Sequence, residues 1–189
     1  MSDRLRRKLV WTLLQMGLLM LLVATANATT LVRLSFDDLA RQATAIARAR
    51  CLASASLWRN GEIWTETEFA VLEVSKGTAP GILRISLPGG RMDHLQSHVE
   101  GVPAFRAGEE VYLFLWNARG RDNYVLGWTQ GTFRIMHDPR TGLERVTQDS
   151  AATPAFDPAT REFRHGGVRN VPLPVFQLKL KRALEKANR

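Results

Sequence analysis

An Asn-Gly pair at residues 60 and 61 constrains the fold of this chain more than any other feature, because it separates two long runs typical of β-strands. These runs extend from Ile46 to Trp58 and from Ile63 to Val74. Both residues of a two-residue hairpin turn must adopt positive φ, which Asn and Gly do most readily. The pair therefore predicts an antiparallel hairpin with two long strands.

Shorter strand-like runs follow this hairpin. They cover Ile82 to Leu87, Val111 to Trp116, Tyr124 to Met136 and Leu143 to Thr147. The second of these is continuously apolar, which is typical of a strand buried on both faces or of a barrel stave. In the third, Gly127 and Gly131 predict bulges or sharp bends.

Two helices are predicted to flank the strands. Ser35, with Asp38 three residues later, predicts the start of a short helix. Pro174 opens a second helix, and an apolar stripe along it consists of Phe176, Leu180, Ala183, Leu184 and Ala187. Residues 149–171 are polar and predict an irregular crossing. The pattern predicts a mainly β fold: one domain over residues 29–189, a small antiparallel Greek-key barrel of five or six strands, OB-like, with both helices attached.

Residues 1–28 have the pattern of an export signal. The apolar run from Leu9 to Val23 follows a basic stretch and precedes Ala26-Asn27-Ala28, a typical cleavage site. We expect cleavage after Ala28 and a periplasmic or secreted product. The alternative, a retained membrane anchor, requires about 20 apolar residues, and this run is shorter and contains polar side chains.

The composition constrains the partners and excludes disulfides within the chain. The chain contains 26 Lys and Arg against 18 Asp and Glu, for a formal net charge of +8. Removal of the leader would leave a charge of +5, which favours an acidic partner or a polyanion. Cys51 is the single cysteine. The favoured interpretation buries it in a strand, and the alternative is a reactive thiol. Simple pairing across the Asn-Gly turn places it on the face of Glu66 and Glu68, so burial requires a bulge.

Several stretches resemble a known group of proteins. They are Gly61 to Phe69 with Val74 to Gly77, then Leu87 to Gly90, Gly101 to Phe105 and Gly108 to Leu115. Together they resemble uncharacterised exported bacterial proteins with OB-like barrels, distantly similar to the netrin-like domain of the tissue inhibitors of metalloproteinases. The similarity extends over Leu31 to Trp116 and implies a fold more than a function. Those inhibitors place an amino-terminal cysteine on zinc, whereas cleavage here exposes Thr29, so their mechanism does not transfer.

The longest loop among the strands, Gly89 to Ala107, is the expected binding site. Backbone N–H groups at Gly89 and Gly90 could approach an anion, and Arg91 adds positive charge, although glycines after a strand more often only permit a sharp turn. The same loop contributes Phe105 and Arg106 to the predicted site, and the neighbouring strand contributes Trp64. No cofactor is expected, because the sequence lacks the common nucleotide, zinc-helix and nucleophile-elbow motifs.

Two weaker patterns point to enzyme chemistry. His94 and His98 are four residues apart, a spacing that suits metal binding on a helix, although solvated loop histidines are the favoured interpretation. Glu66 and Glu68 share a strand face beside Trp64, and we interpret them as a solvated exterior rather than an acid–base pair.

The sequence thus predicts an exported, non-enzymatic module that binds another protein in the cell envelope or outside the cell, for example a secreted hydrolase. The alternative partner is an anionic glycan or other polyanion. A metal-assisted hydrolase is the minor alternative. Export disfavours nucleic acid, and membrane contact is expected only through a retained leader.

Overall fold

A computed structural model describes Trp11 and residues 32–117 and 123–187. The predicted leader, apart from Trp11, and residues 118–122 lie outside the described residues. Leu31–Arg189 is one compact unit. In the part of the chain that the structure describes, no helix has the length and apolar character needed to cross a membrane.

Twelve strands are present in the described residues. In chain order they are β1 Ala45–Arg59, β2 Glu62–Lys76, β3 Ile82–Pro88, β4 Gly90–Met92, β5 Leu95–Ser97, β6 Glu110–Asn117, β7 Asn123–Val125, β8 Thr132–His137, β9 Glu144–Gln148, β10 Ala155–Asp157, β11 Glu162–Arg164 and β12 Val171–Pro172. Eight of them form one antiparallel sheet in the order β12-β9-β8-β6-β1-β2-β3, with β7 also paired to β6. The remaining four form two small hairpins, β4–β5 and β10–β11.

The sheet corrects the predicted five- to six-stranded barrel, because it has eight strands and is not closed. Its terminal strands, β3 and β12, are not paired with each other. After β3 the chain leaves the sheet to form the β4–β5 hairpin, and strands after β6 extend the opposite edge. The mainly β class, the short helix near the N-terminus and the C-terminal helix are confirmed.

The long hairpin predicted from Asn60-Gly61 is confirmed. Asn60 and Gly61 have φ values of 51° and 83°, and Trp58 pairs with Ile63 beside the turn. The predicted strand from Tyr124 to Met136 is instead divided into β7 and β8 by a 3₁₀ turn, Trp128–Gly131. A Cβ on Gly131 would lie 2.2 Å from the Leu126 carbonyl oxygen, so this glycine permits the tight bend.

Strand β6 separates two apolar cores, since its side chains alternate between the two faces of the sheet. Tyr112 and Phe114 belong to the core under the helices, with Phe133 and Phe176. On the other face, Val111, Leu113 and Leu115 pack with residues of β1, β2 and β3. All five of these β6 side chains are fully buried, which confirms the prediction of a strand buried on both faces.

The two helices are α1, Phe36–Gln42, and α2, Leu173–Ala187. The Ser35 hydroxyl accepts a hydrogen bond of 3.1 Å from the Asp38 N–H, which caps α1 as predicted. Helix α2 buries Leu173, Phe176, Leu180 and Ala183 against the sheet. The predicted irregular crossing, residues 149–171, contains the β10–β11 hairpin and a 3₁₀ turn, Asp149–Ala152.

Candidate functional site

The β4–β5 hairpin lies within the loop that the sequence predicts as the binding site, and hydroxyl groups hold it against β1 and β2. Ser56 Oγ accepts a hydrogen bond of 3.1 Å from the Arg91 N–H, and Thr65 Oγ1 donates one of 2.7 Å to the Gly89 carbonyl oxygen. Ser56 and Thr65 are cross-strand partners, with their oxygens 3.1 Å apart. Small hydroxyl side chains at these positions therefore fix the start of the hairpin.

Gly89 and Gly90 are required by this close approach. Their φ values are 93° and 137°, conformations that residues with a Cβ rarely adopt. A Cβ on Gly90 would lie 2.3 Å from Thr65 Oγ1 and 2.4 Å from Ser56 Oγ. The two glycines thus allow the chain to turn sharply out of β3 and into the hairpin.

A cleft of about 350 Å³ opens beside the hairpin, and we call it the hairpin cleft. Its lining consists of Thr65, Thr67, residues 87–91, residues 96–99 and residues 102–105. Thr67 is buried, and its hydroxyl lies 2.8 Å from Ser54 Oγ. The lining combines apolar side chains, hydroxyl groups and the backbone of a glycine-rich bend. Gly89 is buried and its N–H donates a hydrogen bond of 2.8 Å to the Ile63 carbonyl oxygen, so the predicted contact of this N–H with an anion is wrong.

Arg134 holds the wall of the cleft formed by residues 102–105. Its guanidinium donates a hydrogen bond of 2.6 Å to the Ala104 carbonyl oxygen and lies 5.4 Å from the centre of the Phe105 ring. The same group makes two hydrogen bonds to Asp149, of 2.7 and 2.9 Å, and an ion pair with Glu109. Although burial lowers the pKa of Arg134, Asp149 and Glu109 raise it above its ordinary value and keep the group charged.

The cleft contains few titratable groups. Among its lining residues only Arg91 and His98 carry one, and no carboxylate lines it. Within the described residues the Arg91 side chain has no ion-pair partner, whereas His98 Nε2 lies 3.6 Å from the Glu100 carboxylate. The cleft therefore presents one cation, at Arg91, without an acid–base pair.

An apolar surface continues from the cleft on the other side of the hairpin. A depression of about 440 Å³ there is lined by Trp58, Ile63 and Leu95 together with Gly61 and Glu62. It shares with the cleft the residues Pro88, Gly89, Gln96, Ser97 and Val99. Trp58 is 51% exposed and Leu95 46% exposed. The hairpin thus lies between two recesses of mixed character, and the exposed apolar side chains belong to the second one.

The structure brings together four of the six residues predicted to bind a partner. Gly89, Gly90, Arg91 and Phe105 line the cleft. Arg106 does not line it, and its backbone N–H donates to the Glu109 carboxylate at 3.0 Å. Trp64 precedes Thr65, so strand alternation places it on the opposite face of the sheet.

Trp64 belongs instead to the solvated exterior that the sequence predicts for Glu66 and Glu68. The Arg59 guanidinium lies 5.3 Å from the Trp64 ring centre and pairs with Glu66 at 2.7 Å. Glu68 pairs with Arg84 at 2.7 Å. Both carboxylates therefore have arginine partners and do not face each other across a cleft.

The helical spacing considered for His94 and His98 does not apply, because His94 directly precedes strand β5 and His98 directly follows it. His94 lies in the turn between β4 and β5, and His98 lines the hairpin cleft. Among residues 32–117 and 123–187, no three His, Cys, Asp or Glu side chains are grouped so as to hold a metal ion.

Sequence reasoning missed Arg134 and the hydroxyl groups of Ser56 and Thr65. Arg134 is a single arginine in a strand-like segment, and such a charge inside a packed strand indicates a buried partner. Alternating Ser and Thr residues in β1 and β2 mark the face that receives the hairpin. The second signal is visible in the sequence only after the pairing of β1 with β2 is known.

No protein-family model, curated protein or solved structure matches this chain. The resemblance to OB-like exported proteins therefore stays a prediction.

Proposed function

We propose that this protein is an exported, non-enzymatic module that binds a segment of another protein at the hairpin cleft. The observation that carries the proposal is the composition of the cleft: apolar side chains, hydroxyl groups and one cation without an acidic partner, with no carboxylate in the lining. Such a surface offers contacts for recognition but no paired groups for proton transfer.

The apolar part of the surface suits a protein partner. Of the apolar residues that line the cleft, Leu87 and Phe105 are buried and Val102 is half-buried, so the exposed apolar area is mainly that of Trp58 and Leu95. Aromatic and aliphatic side chains in recesses are typical anchor points of protein interfaces. Because Arg134 and the Ser56 and Thr65 hydroxyls already hold both sides of the cleft, binding would require little ordering of the chain.

The charge of the surface indicates what the partner carries. Arg91 is exposed and has no ion-pair partner among the described residues. A carboxylate on the bound segment would pair with the Arg91 guanidinium. The net positive charge of the chain without its leader also favours an acidic partner. We therefore propose a partner segment that combines an apolar anchor with an acidic side chain.

The export leader supports the proposed location in the periplasm or outside the cell. The basic stretch, the apolar run to Val23 and the small residues at 26 and 28 are all present in residues 1–28. A secreted hydrolase is one example of a protein partner that such a module could bind in that location.

Affinity capture with matched variants tests the proposal. The bait is the chain without its leader, exposed to the native secreted fraction. Leu95→Glu places a charge in the recess that Trp58 also lines, and Leu143→Glu makes the same change at a residue that is 54% exposed in a turn between β8 and β9. We expect the partner to be lost with Leu95→Glu and retained with Leu143→Glu.

Charge reversal at the cleft provides the second pair. Arg91→Glu should also lose the partner, whereas Arg140→Glu, in the same turn as Leu143, should retain it. Equal capture by all four variants would contradict a role for the hairpin cleft in binding.

An anionic glycan or other polyanion is the second candidate. The observation that favours it is that Arg91 and Arg106, both exposed, have no ion-pair partners among the described residues. Retention on an immobilised polyanion that depends on both arginines, and not on Leu95, would support this second candidate over the first.

A further inference from the structure

A second pocket, of about 190 Å³, shares no residue with the hairpin cleft and has a different chemical character. It lies between the segment before α1, the β10–β11 region and α2. Three cationic side chains line it, those of Arg33, Arg164 and Lys179, and no Asp or Glu lines it. Arg33 and Arg164 each pair with one carboxylate outside the lining, Asp157 and Glu162, and an anion in the pocket would still meet the positive ends of all three side chains.

The three cations retain hydrogen-bond donors that other residues do not use. Among the described residues, Lys179 has no carboxylate partner, and its Nζ lies 4.9 Å from the centre of the Phe36 ring. To the residues that the structure describes, Arg33 donates a single side-chain hydrogen bond, of 3.2 Å to Asp157, and a guanidinium has five N–H donors. Arg164 binds Glu162 through Nε and Nη2, which leaves Nη1.

Two hydroxyl groups in the lining are also without hydrogen-bond partners among the described residues. These belong to Ser150 and Thr153, which follow β9. A hydroxyl donates readily to an oxyanion, so both groups add to the donors of the cations.

The floor of the pocket is held in place by two buried amide side chains. Gln130 accepts a hydrogen bond of 2.7 Å from the Leu34 N–H and donates one of 2.9 Å to the Val32 carbonyl oxygen. Gln148 accepts a hydrogen bond of 3.1 Å from the Val168 N–H. These bonds fix the chain segments that carry Arg33 and the glycines at 166 and 167, so the pocket exists before a ligand arrives.

Gly166 and Gly167 permit the close packing beside Arg33. A Cβ on Gly166 would lie 2.7 Å from Arg33 Nη2, and one on Gly167 would lie 2.1 Å from Gln148 Oε1. The backbone therefore approaches the guanidinium and the amide more closely than any other residue type would allow.

We propose that this pocket binds a small free oxyanion, a molecule whose recognised group is a phosphate or a carboxylate. Arg33, Arg164 and Lys179 neutralise the charge, and Ser150 and Thr153 donate to its oxygens. Since one water molecule occupies about 30 Å³ of liquid, the pocket has room for inorganic phosphate with ordered water or for a small dicarboxylate. This site is independent of the protein-binding function proposed for the hairpin cleft.

Titration of the purified chain with two probes tests the proposal. Inorganic phosphate and succinate are added separately at constant ionic strength, with heats of binding and amide chemical shifts as readouts. We expect saturable binding at one site, with shifts at Leu34, Thr153, Gly166 and Gly167. Saturation by phosphate alone assigns a phosphate ligand, and saturation by succinate alone assigns a carboxylate.

Matched variants separate a built site from general positive charge. Lys179→Gln should weaken binding about tenfold, the scale of one charge-assisted hydrogen bond, whereas Lys181→Gln on the same helix should leave it unchanged. Thr153→Val removes a hydroxyl at an exposed position without changing the charge, and it should weaken anion binding about threefold. Equal effects of Lys179→Gln and Lys181→Gln, shifts outside the pocket, or no saturable binding of either probe would overturn the proposal.

Discussion

Cys51 lies opposite Phe69 in the ladder between β1 and β2, and the next pair is Ala53 with Glu68, so Leu52 is the additional residue of a β-bulge. The bulge shifts the register by one residue and turns the Cys51 side chain into the core, where it is 1% exposed. Leu52, in contrast, is 44% exposed. The prediction that Cys51 is buried with the help of a bulge is confirmed.

A buried thiol predicts slow chemical modification. Burial raises the pKa of the Cys51 thiol, which reduces the fraction present as reactive thiolate. We expect a thiol reagent to label Cys51 slowly in the native protein and rapidly after denaturation. Cys51→Ser should lower the free energy of unfolding by about 1–3 kcal/mol, because a hydroxyl replaces a weakly polar group in an apolar core. Rapid labelling of the native protein would contradict the buried position.

Gly90→Ala should displace the β4–β5 hairpin. The added Cβ would clash with the hydroxyl oxygens of Ser56 and Thr65, and the backbone conformation is strained for alanine. We expect a loss of about 2–5 kcal/mol or a local opening, seen as loss of hydrogen-exchange protection at the Arg91 N–H.

Gly142→Ala is the control for this substitution. Gly142 also has positive φ, at 68°, but a Cβ there meets no atom within 4 Å. We expect a cost of about 1 kcal/mol and no change at the Arg91 N–H. Similar effects of both substitutions would mean that the contacts with Ser56 and Thr65 are unimportant.

Glu110 joins two arginines of β1. It accepts hydrogen bonds of 2.7 Å from Arg48 and 3.0 Å from Arg50, and its side chain is 17% exposed. Burial raises the pKa of Glu110, but the hydrogen bonds and charges of Arg50 and Arg48 together lower it by more than burial raises it. The pKa therefore falls below its ordinary value of 4.5.

This pKa shift predicts acid sensitivity. Because the unfolded chain binds the Glu110 proton more readily than the folded chain, the stabilisation is present above the ordinary pKa and is lost as the pH falls through the lowered one. We expect Glu110→Gln to lower the free energy of unfolding by about 1–2 kcal/mol at neutral pH. The difference from the unsubstituted protein should shrink as the pH falls from about 5 to about 3. A difference that grows with acid would show the opposite sign and refute the assignment.

Arg134→Met should destabilise the protein and loosen the cleft wall. It leaves the half-buried carboxylates of Asp149 and Glu109 without their cation, which costs about 3–5 kcal/mol. It also removes the hydrogen bond to the Ala104 carbonyl oxygen. We expect a lower melting temperature and faster proteolysis within residues 99–107. The double variant with Asp149→Leu should recover part of the stability but not the protease resistance.

Salt distinguishes the two proposed partners of the hairpin cleft. Raising the salt from about 0.1 M to about 1 M shortens the screening length from about 10 Å to about 3 Å. Binding of a protein segment through Trp58 and Leu95 should change little, since apolar contacts are not screened. Binding of a polyanion should fall by more than about tenfold over the same range. A captured protein with that steep dependence would contradict the apolar anchor.

The sequence by itself determined most of the local structure. The Asn60-Gly61 turn, the Ser35 cap and the alternating or continuous apolar runs predict the long hairpin, both helices and several of the later strands. These signals act between residues close together in the chain, through backbone conformation and side-chain periodicity. The length and glycines of residues 89–107 also predict a binding loop, and four of the predicted contact residues line the hairpin cleft.

The tertiary structure alone decided which side chains meet. Trp64 and Thr65 are neighbours in sequence, yet only Thr65 faces the cleft, because the register of β1 with β2 sets the face of each residue. Arg134 reaches Ala104, and Arg33 and Lys179 line one pocket, through packing between distant segments. Local signals likewise did not predict that the sheet stays open, because closure depends on whether its first and last strands, β3 and β12, pair with each other.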